Sequence, residues 1–349
     1  MTKTPIIQSQ HTPPPIREKY VEQRNLNKKL MRATKHPLTL IFAGAGYGKS
    51  TALSLFAQQS NKAVCWYSIS QNDDDVVPFI EKIIFSISKE YPAFRHLSKQ
   101  VLNRRPSYIK PDMIYSFATN FLTAIGELNE EIILVLDDFH YVANSNDIEK
   151  WLLFVLDHAP NHLHIILSSR RRPRWDSLPR LKIQGSVLEI TQFDFILTPD
   201  EMQYMLHEMY QINLTDDEVK SIYRLTEGWA IAFNMLVKQM INGSSFTTIL
   251  QNQKKSLKDL FDYLATEVLS KQSFIMQQFL MQSSIFDVLS PKVCDEVLEI
   301  RGSEEIFNGL MEQNLFIVEG DKSYFRYHAL FKSFLENNLQ KNFKEEYHR

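Results

Sequence analysis

Glycine is scarce in this chain, and three of its ten glycines in 349 residues fall within five positions: Gly44, Gly46 and Gly48, directly ahead of Lys49-Ser50-Thr51. The total is under half of ordinary usage, which is ~7%, so the cluster marks a place with a special demand on the backbone. Before it, Leu38-Thr39-Leu40-Ile41-Phe42 is apolar and β-favouring without helical periodicity, the pattern of a strand buried on both faces. After it, Ala52-Leu53-Ser54-Leu55-Phe56-Ala57 favours a helix with a broad apolar face. Strand, glycine loop and helix in that order form the setting of a phosphate-binding loop. Small residues let amides close around phosphate oxygens, and the helix N-terminus adds the positive end of its dipole. Against the pattern G-x-x-x-x-G-K-[ST], Ala43 stands at the first position and Gly44, Ala45, Gly46, Tyr47 and Gly48 supply the cradle. Lys49 is then placed to reach the β- and γ-phosphates and Ser50 to ligate Mg²⁺, with Thr51 beside it.

A triphosphate site also needs carboxylates. The apolar run Glu131-Ile132-Ile133-Leu134-Val135-Leu136 ends in Asp137-Asp138, and a parallel strand would deliver both to the carboxyl edge of the sheet, beside the phosphates. Asp137 is the candidate for Mg²⁺ coordination through water. Asp138 has two readings: it orients or deprotonates an attacking water, or it serves as a helix cap or structural acceptor. A third apolar run, Leu163 to Ser169, ends in Arg170, a cation able to tell a γ-phosphate from its absence. Arg171, Arg172 and Arg174 read as a solvated loop, since no aromatic platform is interleaved with them. Asp73-Asp74-Asp75 reads as helix capping, not as a metal cluster.

Composition narrows the classes further. Lys and Arg total 39 against 41 Asp and Glu, a formal net charge of -2, so no global basic field draws the chain onto nucleic acid or an anionic membrane. The two cysteines, Cys65 and Cys294, lie far apart in apolar segments, the usage of buried thiols in a reducing compartment. No apolar run approaches the roughly 20 residues of a membrane helix and the N-terminal residues carry no signal-peptide stretch, so the expected location is cytoplasmic. Zinc-protease, serine-hydrolase and dinucleotide motifs are absent.

Strand-like runs at 38–42, 63–69, 132–137, 163–169 and 186–191 alternate with helix-compatible stretches such as 77–90 and 112–126, which predicts an α/β parallel sheet. From Thr198-Pro199-Asp200-Glu201, a helix-start signal, the chain reads as helical to about residue 285. Phe316-Ile317-Val318-Glu319, the turn Gly320 to Ser323, and Tyr324-Phe325-Arg326-Tyr327 then read as a β-hairpin. His328 follows directly, a hairpin-end histidine on its own sequence.

This order of parts resembles the signal-transduction ATPases with numerous domains (STAND), specifically the MalT-like large ATP-binding regulators of the LuxR type, and the resemblance spans essentially the whole chain. Arg17, Val21 and Arg24, within Pro15-Ile16-Arg17 and Tyr20-Val21-Glu22-Gln23-Arg24, are similar to the family's opening segment beside the adenine. Ala43 to Thr51 is similar to the family's loop, with Gly44 where a Pro is usual. Leu136-Asp137-Asp138-Phe139-His140 resembles its magnesium strand, and Ser168-Ser169-Arg170 its sensor arginine. Thr226-Glu227-Gly228-Trp229-Ala230 resembles its Gly-x-Pro adenine-side motif with Ala230 in place of the proline. Phe261 to Leu269 and Tyr324 to Phe331 resemble its winged-helix portion, in which a histidine at the place of His328 faces the phosphates.

The resemblance implies a P-loop NTPase sheet of the ASCE/STAND type at 1–197, a helical domain at 198–255 and a winged-helix domain at 256–349. It also implies ATP/ADP and Mg²⁺ as cofactors. The function it implies is a switch in a transcriptional regulator: nucleotide and an inducer control self-association, with slow ATP hydrolysis. Such regulators continue into helical repeats that take a small-molecule or protein inducer and a helix-turn-helix that takes DNA, so the chain is expected to be their N-terminal portion, with no membrane partner. The rivals are a stand-alone remodelling ATPase, a non-hydrolysing ADP-bound scaffold and, with no acceptor-site signature in the sequence, a phosphotransferase.

Overall fold

A computed structural model describes residues 6–16, 23–101, 111–251, 256–312, 315–319 and 324–342. By contact the chain divides into two compact units, Met1–Ala43 with Lys49–Asp194, and Gly44–Gly48 with Phe195–Arg349.

The first unit is a sheet of five parallel strands in the order β2-β3-β4-β1-β5: β1 (Leu38–Phe42), β2 (Val64–Ser68), β3 (Ile132–Asp137), β4 (Leu163–Ser169) and β5 (Val187–Thr191). All five coincide with the runs read from sequence to within a residue at each end. The three central strands are the near-continuous apolar ones because helices cover both faces of a parallel sheet. The helix Val76–Glu90 follows β2 and buries Val76, Phe79, Ile80, Ile83 and Ile87, the i, i+3, i+4, i+7 stripe of a helix lying on a sheet. Asp75 caps it by accepting from the amide of Val77. The helices Pro111–Leu128 and Asn146–Asp157 pack together, and Trp151 stands edge-on to Phe79 at 6.2 Å and to Phe121 at 5.2 Å. Removing a fully buried ring of this kind typically costs about 3–5 kcal/mol. Cys65 lies in the same core as a free thiol.

Among its described residues the second unit is helical with one hairpin. Its first helix, Pro199–Tyr204, has the capping box that the sequence signals: Thr198 accepts from the amide of Glu201, and the Glu201 carboxylate accepts from the amide of Thr198. Thr215 and Glu218 repeat the device at the helix Asp216–Thr226. Helices Ala230–Ile241, Lys258–Glu267, Phe274–Ser283, Pro291–Val297 and Ser303–Glu312 follow. The strands β6 (Ile317–Glu319) and β7 (Phe325–Tyr327) then pair antiparallel, ahead of the helix Ala329–Asn342. Their connecting turn, 320–323, lies outside the described residues. Phe307 links this part's core, packing against Phe279 at 5.5 Å and Phe325 at 5.1 Å. Cys294 is buried and free here. Among the described residues no helix is long and apolar enough to cross a membrane.

Candidate functional site

Strand register explains why the chemical residues of the first unit meet at one edge. Leu136 of β3 pairs with Leu167 of β4, and the next residue of β4, Ser168, pairs with Ile41 of β1. The carboxyl ends of β1, β3 and β4 therefore lie level, and each releases a functional residue there. β1 leads to Ala43, whose carbonyl accepts a 2.7 Å hydrogen bond from Lys49 Nζ. β3 ends in Asp137, only 2% exposed, and β4 leads to Arg170.

Lys49 opens the helix Lys49–Gln59 and is 8% exposed. Burial pulls its pKa from 10.5 down to about 8, Asp138 and Asp137 push it back up, and Arg170 depresses it slightly. These four groups share one field, in which burial disfavours the charged lysine and the two carboxylates favour it. A phosphate oxyanion is the ligand that such a field fits. Asp138 has left-handed backbone, φ 59°, uncommon for a residue other than glycine. It precedes the short 3₁₀ turn Phe139–Tyr141, but its side chain makes no capping bond; its carboxylate is 39% exposed and 3.7 Å from His140 Nδ1. Ser50 and Thr51 are half-buried in the first turn of the helix that Lys49 opens.

The loop Gly44–Gly48 groups with the second unit. Gly46 and Gly48 both have positive φ, 76° and 93°. At Gly46 the glycine is required twice over: a Cβ would also lie 2.7 Å from Ile231 Cγ2 and 3.1 Å from Trp229 Nε1. Two carbonyls of this loop are taken by the start of the helix Ala230–Ile241 and its N-cap Trp229. The Trp229 indole N–H donates to Ala45 O at 3.1 Å, and the Ile231 amide donates to Gly46 O at 3.2 Å. Tyr47, between the two positive-φ glycines, is 5% exposed, with burial and then Glu227 raising its phenol pKa.

His328, which the family resemblance aims at phosphate, is buried in the second unit. Its Nε2 donates to Thr226 O at 2.9 Å, and Nδ1 accepts from the amide of Leu330 at 3.3 Å, which sets a neutral imidazole. Burial lowers its pKa against the opposing pull of Glu227. Glu227 itself, at φ 47°, accepts from both terminal nitrogens of Arg326 and from the amide of Ala329. Arg17 and Val21 lie outside the described residues, and Arg24 opens the helix Arg24–Leu30.

Sequence reasoning missed Ile231, which donates to Gly46 O, and Phe316, whose ring lies 6.5 Å from that of Tyr47, because both contacts join positions far apart in the chain. It also treated Asp73 with its neighbours. Only Asp75 caps, while Asp73 is buried and bonded to Lys82 and Ser70. Among the described residues no group of His, Cys, Asp or Glu is arranged to hold a metal by itself, so any Mg²⁺ here would share its shell with phosphate and water.

Comparison with known proteins follows the same lines. Residues 265–347 match the MalT winged helix domain family. The chain is 25% identical over 346 residues to the serine/threonine-protein kinase PknK of Mycobacterium tuberculosis, covering 95% of this chain and 30% of that protein. It is 24% identical over 315 residues to the HTH-type transcriptional regulator MalT of Vibrio parahaemolyticus, covering 89% and 34%. With MalT of Yersinia pestis the identity is 26% over 333 residues, covering 93% and 36%. The chain thus spans about a third of the length of the curated relatives it matches. Among solved structures, a Walker-type ATPase of Pyrococcus abyssi superposes with TM-score 0.63 at 16% identity, covering 91% of this chain and 97% of that one. The fold is that of a P-loop ATPase carrying a MalT-type winged helix, and the chain is similar to MalT-like regulators over most of its length.

Proposed function

We propose that this chain is the nucleotide-reading portion of a MalT-like transcriptional regulator, an ATP/ADP switch that governs self-association. The observation that carries the reading is the set Lys49, Asp137, Asp138 and Arg170, brought to one sheet edge where the strand register and the glycine loop converge. Lys49 would hold the β- and γ-phosphates, and the amides of Gly44 to Gly48 would line the cradle with Ser50 and Thr51 at its helical end. Mg²⁺, held by the Ser50 hydroxyl and by Asp137 through water, would neutralise phosphate charge. Asp138, partly exposed, would orient a water and accept its proton, and Arg170 would sense the γ-phosphate. Arg17, Val21 and Arg24 would flank the adenine.

His328 would reach phosphate only by giving up the Thr226 carbonyl, so its two partners define two states of the second unit. Moving such an equilibrium from 1:99 to 99:1 requires about 5.5 kcal/mol of difference between the ligands' preferences. Charge-assisted contacts to one γ-phosphate supply part of that, and an inducer and neighbouring copies the rest. In this reading a sheet domain at 1–197, a helical domain at 198–255 and a winged-helix domain at 256–349 form the switch. The inducer and DNA are engaged by further parts of the regulator, in the cytoplasm. Hydrolysis is slow because it resets the state. That the same span occurs in relatives described as a kinase and as transcriptional regulators favours a control module over a dedicated motor.

Calorimetry with MgADP and MgATP tests the proposal. Binding of both is expected, abolished by Lys49→Ala. Absence of binding, or binding indifferent to Lys49→Ala, refutes it, and sustained turnover of many per second without inducer would favour a remodelling ATPase instead.

A further inference from the structure

A phosphate-binding loop works through its amides, so burying its one large side chain needs a reason. Tyr47 packs against Trp229 at 6.2 Å and against Phe316 at 6.5 Å, nearly parallel to the latter. Trp229 is fully buried and meets Phe316 edge-on at 4.7 Å and His328 at 5.6 Å. Phe316 continues to Phe331 at 5.1 Å, and its carbonyl accepts from the amide of His328 at 2.7 Å. All of these residues belong to the second unit.

Two features turn this cluster from packing into control. First, a peptide group is planar, so fixing its carbonyl fixes the direction of the following N–H. Trp229 holds Ala45 O and Ile231 holds Gly46 O, which sets where the amides of Gly46 and Tyr47 point. Second, the joints are strained. Phe316 has φ 54° and Glu227 φ 47°, and such backbone on a residue with a side chain costs on the order of 1–3 kcal/mol and persists only where the surroundings enforce it. Glu227 is enforced by Arg326 and the Ala329 amide, and Phe316 by the rings and the His328 amide.

We propose that Trp229 and Ile231 are positioning residues for two amides of the phosphate loop, and that the Tyr47–Phe316 contact ties the loop's conformation to the winged-helix hairpin. This rests on the nucleotide reading of the loop. A loop that adjusts to phosphate moves Tyr47, Tyr47 moves Phe316, and Phe316 carries with it the hydrogen bond to His328 and the hairpin strand β7. Thermodynamic linkage makes the coupling reciprocal: whatever factor nucleotide contributes to hairpin protection, an intact hairpin contributes to nucleotide affinity.

Hydrogen exchange of the whole chain, with and without MgADP, tests it alongside calorimetry. In the unmodified protein MgADP is expected to slow exchange across 324–331 by about fivefold or more, the low end of usual allosteric couplings. Phe316→Leu should reduce that protection to within about twofold and weaken MgADP by a matching factor, with Phe316→Tyr restoring both. Trp229→Phe, which keeps a ring but removes the donor to Ala45 O, should weaken MgADP by about three- to tenfold, one hydrogen bond's worth, and serves if Phe316→Leu does not fold. MgADP binding without altered exchange at 324–331, or full protection retained in Phe316→Leu, overturns the coupling and leaves the nucleotide reading intact. Failure of the unmodified protein to bind nucleotide overturns both, and calorimetry alone separates the two cases.

Discussion

Replacing Lys49 by Met should make the nucleotide-free protein more stable, the opposite of what removal of a buried hydrogen bond suggests. The fall of the Lys49 pKa from 10.5 to about 8, caused chiefly by burial, corresponds to about 3 kcal/mol against the charged form in the fold. The hydrogen bond to Ala43 O returns about 1 kcal/mol that the variant loses. The net gain is about 2 kcal/mol at pH 7, or about 4–8 °C in Tm for a unit of this size. The sign depends on pH in a defined way. Below pH 8 the native lysine is charged and the penalty is complete. From pH 8 to 10.5 the unfolded chain holds more protons than the native one, so stability of the unmodified protein rises and the advantage of Lys49→Met shrinks; above 10.5 it vanishes. Thermal melts followed by circular dichroism at pH 7 and pH 10, without nucleotide, measure it. MgADP should then raise the Tm of the unmodified protein and leave the variant unmoved. A variant that melts at or below the unmodified protein at pH 7, or a gap that stays constant to pH 10, would refute the claim that Lys49 is held charged at a net cost to the fold.

Two further outcomes follow from particular residues. Gly46→Ala meets Ile231 Cγ2 at 2.7 Å in a backbone of φ 76°, whereas Gly48→Ala, at φ 93°, meets nothing within 4 Å; urea denaturation should show Gly46→Ala losing about 1–3 kcal/mol and Gly48→Ala less. Asp73→Asn strands a buried Lys82 and should lose about 3–5 kcal/mol at pH 7. Burial pushes the Asp73 pKa up, but the bonds from Lys82 and Ser70 outweigh it and hold it below 3.8, so this contribution is present at neutral pH and is lost as pH falls through the lowered value. Urea titrations of both forms should therefore converge in strong acid.

What the sequence discloses and what it withholds divide along one physical line. The five parallel strands were legible to within a residue at each end, the central three because a strand buried on both faces is apolar throughout and that pattern is local. So were the glycine loop, the carboxylates at the end of β3 and the capping box at Thr198, all fixed by spacing within a few positions. Asp73 shows the limit. Its place in an acidic triplet reads as capping, and only the face that the helix Val76–Glu90 turns toward it reveals Lys82, nine residues on, as its partner. Tyr47 shows the limit more sharply, since nothing near it names Phe316.

The residues with left-handed backbone carry this further. Propensity asks for glycine wherever φ is positive, and the sequence obeys at Gly46, Gly48 and Gly228. It departs at Glu227, Asp138 and Phe316, where glycine would relieve the strain but remove a carboxylate that binds Arg326, a carboxylate in the field of Lys49, and a ring that meets Tyr47. Local consistency is what makes a chain foldable, and its breaches gather where function takes precedence. Asp138, Glu227 and Phe316 are three of the six described non-glycine residues with positive φ, beside Asn129, Gln211 and Glu299, and of the three Asp138 stands in the field of Lys49, Glu227 binds Arg326 and Phe316 meets Tyr47. A glycine substituted at Phe316 should accordingly relax the backbone while severing the contact with Tyr47, separating strain from coupling in one variant.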